Sequence, residues 1–334
     1  MNLDNFNNLI DKSSTILLIQ ADNPDGDSLA SCLALESIFA TLNKSVIMYC
    51  GVEVPTYLRH IEGWDRVVHE IPKNFDLSII IDCSSLTLLE TMQKNGEISW
   101  VKSKPSVILD HHSTKPTIDF ASDVINLLLS STGELIYKIS SENNWEVSQQ
   151  SAYYLAVSIL SDTLGLTTES VTDKTFLTMS ELVKKGVNLA KIDENRRKSN
   201  KKSLAIVKYK AKLLDRIDTS IDKRVATIDI PWPEIEKYSH EYNPPMLVMD
   251  EMRMINDVLV VIAFKTYPGG KITAKIRTNF GVKIADKLAE HFGGGGHQYA
   301  SGFKIQGTKD FNEVKLECIK KAITMLDEGN FETL

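Results

Sequence analysis

Asp110, His111 and His112 stand side by side, directly after the apolar run Ser106-Val107-Ile108-Leu109 and just before Ser113, Thr114, Lys115 and Pro116. A carboxylate and two imidazoles can bind a divalent cation or relay a proton. A short β-rich run that stops abruptly at polar residues reads as a buried parallel strand delivering side chains to the carboxyl edge of a sheet. Open α/β sheets hold their ligands at that edge. The triplet alone carries little weight, since Asp-His-His also arises by chance. What matters is the chemistry at the ends of the neighbouring segments.

Asp25 and Asp27 flank Gly26 in a polar loop that follows the strand-like run Thr15–Gln20. Asp82 follows the apolar run Leu77–Ile81, and Asp162 closes a helical stretch. Four carboxylates converging with no Lys or Arg among them would repel strongly. A fold tolerates that only with protonation or bound cations. Carboxylates mixed with imidazole suit manganese-type ions, whereas an all-oxygen site would point to magnesium or calcium. Asp25 and Asp27, on either side of a glycine bend, can address different ions, and Asp82 can bridge two ions about 3.5–4 Å apart. Such a pair activates water and steadies charge on a phosphoryl group. Any one of these aspartates alone reads as a cap or turn residue, but all of them fall on one expected edge.

A second group lies near the C-terminus. Gly293, Gly294, Gly295 and Gly296 precede His297. Glycines let a backbone approach a ligand closely, and successive exposed N–H groups form an anion-binding concavity. Arg277, ending a hairpin arm, can supply a bidentate phosphate contact. His60, His69, His240 and His291 show no constellation and read as structural.

The elements that must position these groups alternate. Leu3, Phe6, Leu9 and Ile10 lie at helical spacing. Strands are expected at Thr15–Gln20, Ser45–Tyr49, Leu77–Ile81 and before Asp110, with a minor one at Arg66–His69. Helices are expected after Ser28, at Leu127–Ser140, Ser151–Leu160 and Val171–Lys185. Apolar strands ending in Asp, interleaved with helices, predict a doubly wound, mainly parallel α/β sheet. A charged stretch around Arg196, Arg197, Lys198, Lys201 and Lys202 marks a boundary. The expected organisation is a first domain at 1–190, a helical linker at 191–212 and a smaller α/β domain at 213–334, with a cleft between the domains. In the last part, a strand at Arg224–Ile230, a hairpin from Val258–Thr266 to Lys271–Arg277 and a helix at Ile284–His291 are expected.

With 334 residues, 43% hydrophobic and 25% charged, the chain has the makeup of a two-domain globular protein. Its net charge of −6 argues against binding long duplex nucleic acid through a general basic surface. The cysteines Cys32, Cys50, Cys83 and Cys318 show no metal-type spacing and read as buried thiols of a reducing compartment. The N-terminus lacks signal-peptide character, and no run approaches the ~20 apolar residues of a membrane span. A cytoplasmic location is expected.

Taken in order, Asn23-Pro24-Asp25-Gly26-Asp27, Asp82, Asp110-His111-His112, Asp162-Thr163, and Gly293–His297 with Ala300-Ser301-Gly302 resemble the motif series of the DHH phosphoesterases. The C-terminal part resembles the DHH-associated domain of stand-alone nanoRNase and phosphoadenosine-phosphate phosphatase members. The resemblance implies a two-manganese hydrolase acting on very short oligonucleotides or on 3′-phosphoadenosine 5′-phosphate through metal-activated water. It implies Asp25 and Asp82 for one ion and Asp27, Asp82, His111 and Asp162 for the other. His112 would act at the scissile phosphate with Asp110 steadying the imidazoles, and Arg277, the glycines and His297 would hold the substrate's end. Short single-stranded oligonucleotides or small nucleotides are the implied partners, without membranes or long duplexes, and a homodimer through the first domain is implied too. The family usually places a His where this chain has Ala21, so the first ion lacks a ligand and one ion or two remain open. Two alternatives follow: cleavage of cyclic or linear dinucleotides, and a catalytically impaired nucleotide-binding protein.

Overall fold

The computed structural model describes residues 3–112, 116–199, 201–307, 310–329 and 331. The chain divides into two compact units, 1–201 and 202–334. Ser113, Thr114 and Lys115 lie outside the described residues.

Unit 1 is built from α1 (Asp4–Lys12), β1 (Thr15–Gln20), α2 (Gly26–Thr41), β2 (Ser45–Cys50), β3 (Val67–Val68), β4 (Leu77–Ile81), α3 (Glu90–Lys94), α4 (Ile98–Lys102), β5 (Ser106–Asp110), β6 (Asp123–Asn126), α5 (Thr132–Glu142), α6 (Gln149–Asp162), α7 (Asp173–Lys184) and α8 (Leu189–Ser199). Its six strands pair in the order β3-β2-β1-β4-β5-β6, and every pairing is parallel. β4 and β5 are buried along their whole length, which is why they read as continuous apolar runs rather than alternating ones. Ile16, Leu18, Ile79, Ile81 and Leu109 pack with α2, α5 and α6 on one face. Leu17, Ile19, Ile80 and Ile108 pack with α3 and α4 on the other. The sheet is therefore doubly wound, and the strand order reverses between β1 and β4, where such sheets open a crevice.

Two expectations shift. The helix expected at Leu127–Ser140 begins only at Thr132, because Asp123–Asn126 adds a sixth strand and Ser131 caps the helix through its hydroxyl, 3.1 Å from the Glu134 N–H. The glycine segment is not a free loop throughout. Gly295–His297 forms a short strand.

Unit 2 contains α9 (Leu204–Leu214), β7 (Val225–Ile230), α10 (Trp232–Tyr238), α11 (Met249–Arg253), β8 (Val260–Thr266), β9 (Ile272–Thr278), α12 (Ala285–Glu290), β10 (Gly295–His297), β11 (Ala300–Ile305) and α13 (Phe311–Glu328). The sheet order is β10-β11-β9-β8-β7. Ile262, Phe264, Ile272, Ala274, Ile276 and Phe303 pack with α12 and α13. All four cysteines are buried and unpaired, as their apolar settings suggested. Among the described residues, no helix is long and apolar enough to cross a membrane.

Candidate functional site

His111 sits just past the end of β5 with its side chain buried. Its Nδ1 lies 3.1 Å from the Leu129 carbonyl. Donation of Nδ1–H to that oxygen leaves the lone pair on Nε2. Nε2 is buried and has no hydrogen-bond partner among the described residues. Around it stand Asp82 Oδ1 at 3.5 Å, Asp162 Oδ2 at 3.6 Å and Asp27 Oδ2 at 3.7 Å. These separations are too long for good hydrogen bonds. They suit donors arranged around a shared cation, with bonds of about 2.0–2.2 Å to nitrogen and oxygen. Asp27, His111 and Asp162 offer donor atoms within 4.8 Å of one another, and so do Asp82, His111 and His112. Burial opposes charge on His111, but Asp82, Asp27 and Asp162 outweigh it and push its pKa up to about 10. The ring thus collects a proton where the donor set calls for a metal, and the residues present fit one.

Asp27, in the first turn of α2, is 1% exposed. Thr132 N–H donates to its Oδ2 at 2.8 Å, while Gly133 N–H and the Ser31 hydroxyl donate to Oδ1 at 3.3 and 3.1 Å. The Ser158 hydroxyl of α6 donates to Oδ1 as well. The amino end of α5 therefore points at this carboxylate and favours its negative charge. Without a cation, burial and the nearby Asp82 still drive its pKa well above the carboxylate range. Thr132 also donates its hydroxyl to Asp82 Oδ1 at 3.0 Å, so one residue fixes two carboxylates.

Asp82 adopts φ 55°. That left-handed conformation costs a non-glycine residue on the order of 1 kcal/mol. It lets the chain turn sharply at the end of β4 and lay the carboxylate beside His111. Burial raises its pKa, with Asp25 adding to the effect and His111 opposing it. Asp162, the last residue of α6, is half-buried, and burial raises its pKa too.

Asp110 accepts His112 Nδ1–H at 2.7 Å and the His111 N–H at 2.9 Å. Burial would raise the Asp110 carboxyl, but its bonds to His112 and Ser84, with the charge of His112, together outweigh that and hold it low. The bond to Asp110 raises His112, whose ring is about half exposed (46%). Asp110 thus orients an imidazole that reaches solvent and favours its protonation.

Asp25 takes a different place. It is the N-cap of α2, its Oδ1 accepting Ser28 N–H at 2.9 Å, and it joins neither donor cluster. Its charge still reaches Asp82, Asp27 and Asp162. Ala21 is buried in the apolar cluster with Leu17, Ile19 and Cys83 and offers no donor. Asp22 accepts Thr91 N–H at 2.7 Å and so is directed elsewhere.

Sequence reasoning missed Thr132, Gly133, Ser31 and Ser158. The signal for the first two was Ser131-Thr132-Gly133-Glu134, a capping pattern that marks a helix amino end. Gly133 is fixed by space, since a Cβ there would lie 2.0 Å from Ser158 Oγ.

In unit 2, β9 carries Arg277 half-buried in an open groove of about 760 Å³, lined also by Lys265, Lys275 and Gly293–Gly296. Gly293 N–H and Gly294 N–H donate to the Glu290 and Ala289 carbonyls at 2.9 Å each, closing α12. Gly295 and Gly296 pair with Gly302 and Ser301. A Cβ on Gly294 would lie 2.3 Å from the Gly302 carbonyl oxygen, so that position is fixed by close strand approach. His297 pairs with Ala300 through its backbone, and its side chain lies outside the described residues.

The chain matches the DHH family N-terminal domain over residues 15–159 and the DHHA1 domain over residues 243–326. It is 24% identical over 295 residues to the probable bifunctional oligoribonuclease and PAP phosphatase NrnA of Streptococcus mutans serotype c, covering 86% of this chain and 88% of that protein. It is also 24% identical over 315 residues to the A-adding tRNA nucleotidyltransferase of Aquifex aeolicus, covering 92% of this chain but only 34% of that longer relative. Among solved structures, an exopolyphosphatase-related protein from Bacteroides fragilis shares the fold, with a TM-score of 0.84, 21% identity, and 97% of this chain and 96% of that one covered. With a parallel sheet gathering its acidic residues at the switch point and both domains present in order, this chain belongs to the DHH family of phosphoesterases, hydrolases that act on phosphoester bonds.

Proposed function

We propose that this chain hydrolyses very short oligonucleotides, and 3′-phosphoadenosine 5′-phosphate, with manganese held at the ends of β1, β4 and β5. The observation that carries the reading is the orphaned, buried Nε2 of His111 facing three carboxylates. Asp27, Asp82, His111 and Asp162 would hold one ion. Asp25 and Asp82 would serve a second, for which Ala21 supplies no donor. Bound cations would activate water and take up charge on the phosphoryl oxygens. His112, oriented by Asp110 and favoured toward its protonated form, is suited to meet charge on the oxygen that leaves. Arg277 and the glycine segment would hold the substrate's terminal phosphate, with His297 assigned there from the motif. The activities for which the Streptococcus mutans relative is named support this substrate range. Short single strands as partners, rather than long duplexes, a cytoplasmic setting and a homodimer through unit 1 belong to the same reading.

One observation favours a second reading, a nucleotide-binding chain with little turnover. Asp25 is committed to a helix cap and Ala21 is buried among apolar side chains, so the second ion has few donors. The test is manganese-dependent turnover of a 5′-labelled dinucleotide, 3′-phosphoadenosine 5′-phosphate and a long single strand, with Asp82→Ala and Ala21→His alongside. Turnover of the short substrates that vanishes in Asp82→Ala is expected. Tight nucleotide binding without turnover, restored by Ala21→His, would establish the second reading. Silence in every variant would sink the hydrolase for these substrates.

A further inference from the structure

Thr273, Lys275 and Arg277 share one face of β9, so neighbouring side chains along it stand about 6.7 Å apart. The register sets Lys265 of β8 beside Thr273 and Ala263 beside Lys275. On the other side β11 places Lys304 beside Thr273, Gly302 beside Lys275 and Ala300 beside Arg277. The reverse face of β9 is sealed in the core through Ile272, Ala274 and Ile276. On the front face, the cluster built on α9, α10 and α11 covers β7 and Val261 and Ala263 of β8, and includes no residue of β9 or β11. The cations therefore line an open groove on this face beside a floor of small residues, where a Cβ on Gly302 would lie 2.6 Å from the Ala274 carbonyl oxygen.

Lys265, Lys275 and Arg277 are each half-buried, and their hydrogen-bond partners among the described residues are neutral. Lys265 Nζ donates to Asn243 Oδ1 at 2.8 Å, and an Arg277 guanidinium N–H donates to its neighbour's carbonyl at 2.9 Å. Burial and Arg277 hold Lys275 below the usual lysine range, and burial with Lys275 and Lys271 does the same to Lys265. Asp250 pulls on Arg277 through space, against burial and Arg253. Like charges held half out of water, with only Asp250 acting on Arg277 to offset them, are unfavourable until an anion arrives. One phosphate on Arg277 leaves the Lys275–Lys265 pair, one step along the sheet, still uncompensated. That step is close to the repeat of an extended phosphodiester backbone.

We propose that this groove binds two consecutive phosphates, one on Arg277 and the next on Lys275 with Lys265. The substrate class it selects is an oligonucleotide carrying two phosphates besides the one cleaved, in preference to a nucleoside bisphosphate. This deepens the phosphoester reading and rests on it for the substrate, while the grip itself is a property of unit 2.

The test uses the full chain in chelator and the fluorescence anisotropy of a labelled oligonucleotide with three phosphates. A second probe has one internal phosphate replaced by a neutral methylphosphonate, and 3′-phosphoadenosine 5′-phosphate serves as competitor. Lys275→Ala is expected to weaken the three-phosphate probe about 10-fold and to lower the slope of log affinity against log salt by about 0.7. The methylphosphonate probe should lose most of that sensitivity, the competitor should be unaffected, and Lys275→Arg should retain binding. Equal weakening of oligonucleotide and competitor, or no change in either, overturns the proposal. Turnover measured separately with manganese keeps the two readings apart. Phosphate-dependent binding through Lys275 without turnover leaves the grip standing and removes the hydrolase. Turnover that ignores Lys275 does the reverse.

Discussion

The acidic centre of unit 1 and the basic groove of unit 2 both gather more like charges than nearby counter-charges offset, yet they are built differently. Each carboxylate of the centre is short, and Asp27 alone is held by two backbone amides and two hydroxyls drawn from α2, α5 and α6. The groove presents long side chains along one strand, with few bonds to fix them. A small cation demands donors at set distances, and rigid aspartates on helix and strand ends supply them. A phosphate chain is larger and softer in its requirements, so flexible lysines suffice. The difference teaches that geometry is concentrated where a metal is to sit, and charge alone where a polyanion is to lie.

The largest test of this contrast is Asp82→Ala. Loss of a carboxylate shared by both proposed ions should lower kcat/KM by more than about 100-fold, the upper value typical of outer-shell partners. A loss confined to a few-fold would place Asp82 outside the chemistry. Next comes Ser158→Ala, which removes one hydroxyl from Asp27 and leaves every donor in place. Manganese affinity, read by calorimetry, should fall about 10–100-fold, and an unchanged affinity would mean that the geometry of Asp27 is set without α6. In the groove the tolerance should run the other way. Arg277→Lys keeps the charge and should raise KM by no more than about 10-fold, one charged hydrogen bond's worth, with kcat held.

The smallest effect is in the pH dependence of the metal-free protein. The folded pKa of His111, about 10, lies above its ordinary value of 6.5. The stability it contributes is fully present below 6.5 and is lost as pH rises through about 10. In chelator, the melting temperature of the natural protein minus that of His111→Gln should therefore fall between pH 6.5 and 10. A difference that grows with pH would contradict the proton's place among the three carboxylates. Added manganese, if it takes the proposed site, would displace that proton and should flatten the trend.

Much of the centre was legible because parallel strands announce themselves as short apolar runs, and Asp82 and Asp110 terminate two of them. The fold class follows from the same alternation. The order of pairing does not, since only the register of β1 with both β2 and β4 shows where the sheet reverses. What holds Asp27 was hidden for a similar reason. Thr132 and Ser158 lie 105 and 131 positions away and meet it only through helix packing. Asp25 shows the opposite problem, since a residue that reads as a ligand also satisfies a local cap. The glycine run was read as one feature, but its members do different work. Gly293 lies at φ 73°, which favours glycine, whereas Gly294 is excluded from carrying a side chain by the facing strand.

The backbone of Asp82 sets two selective pressures against each other. Glycine would adopt φ 55° freely and would remove a buried carboxylate, so Asp82→Gly should melt higher than the natural protein when metal is withheld. A population selected only for heat resistance would lose this residue early and keep the fold. Persistence of aspartate at position 82 would then record use of the site, because endurance of the fold alone favours its loss.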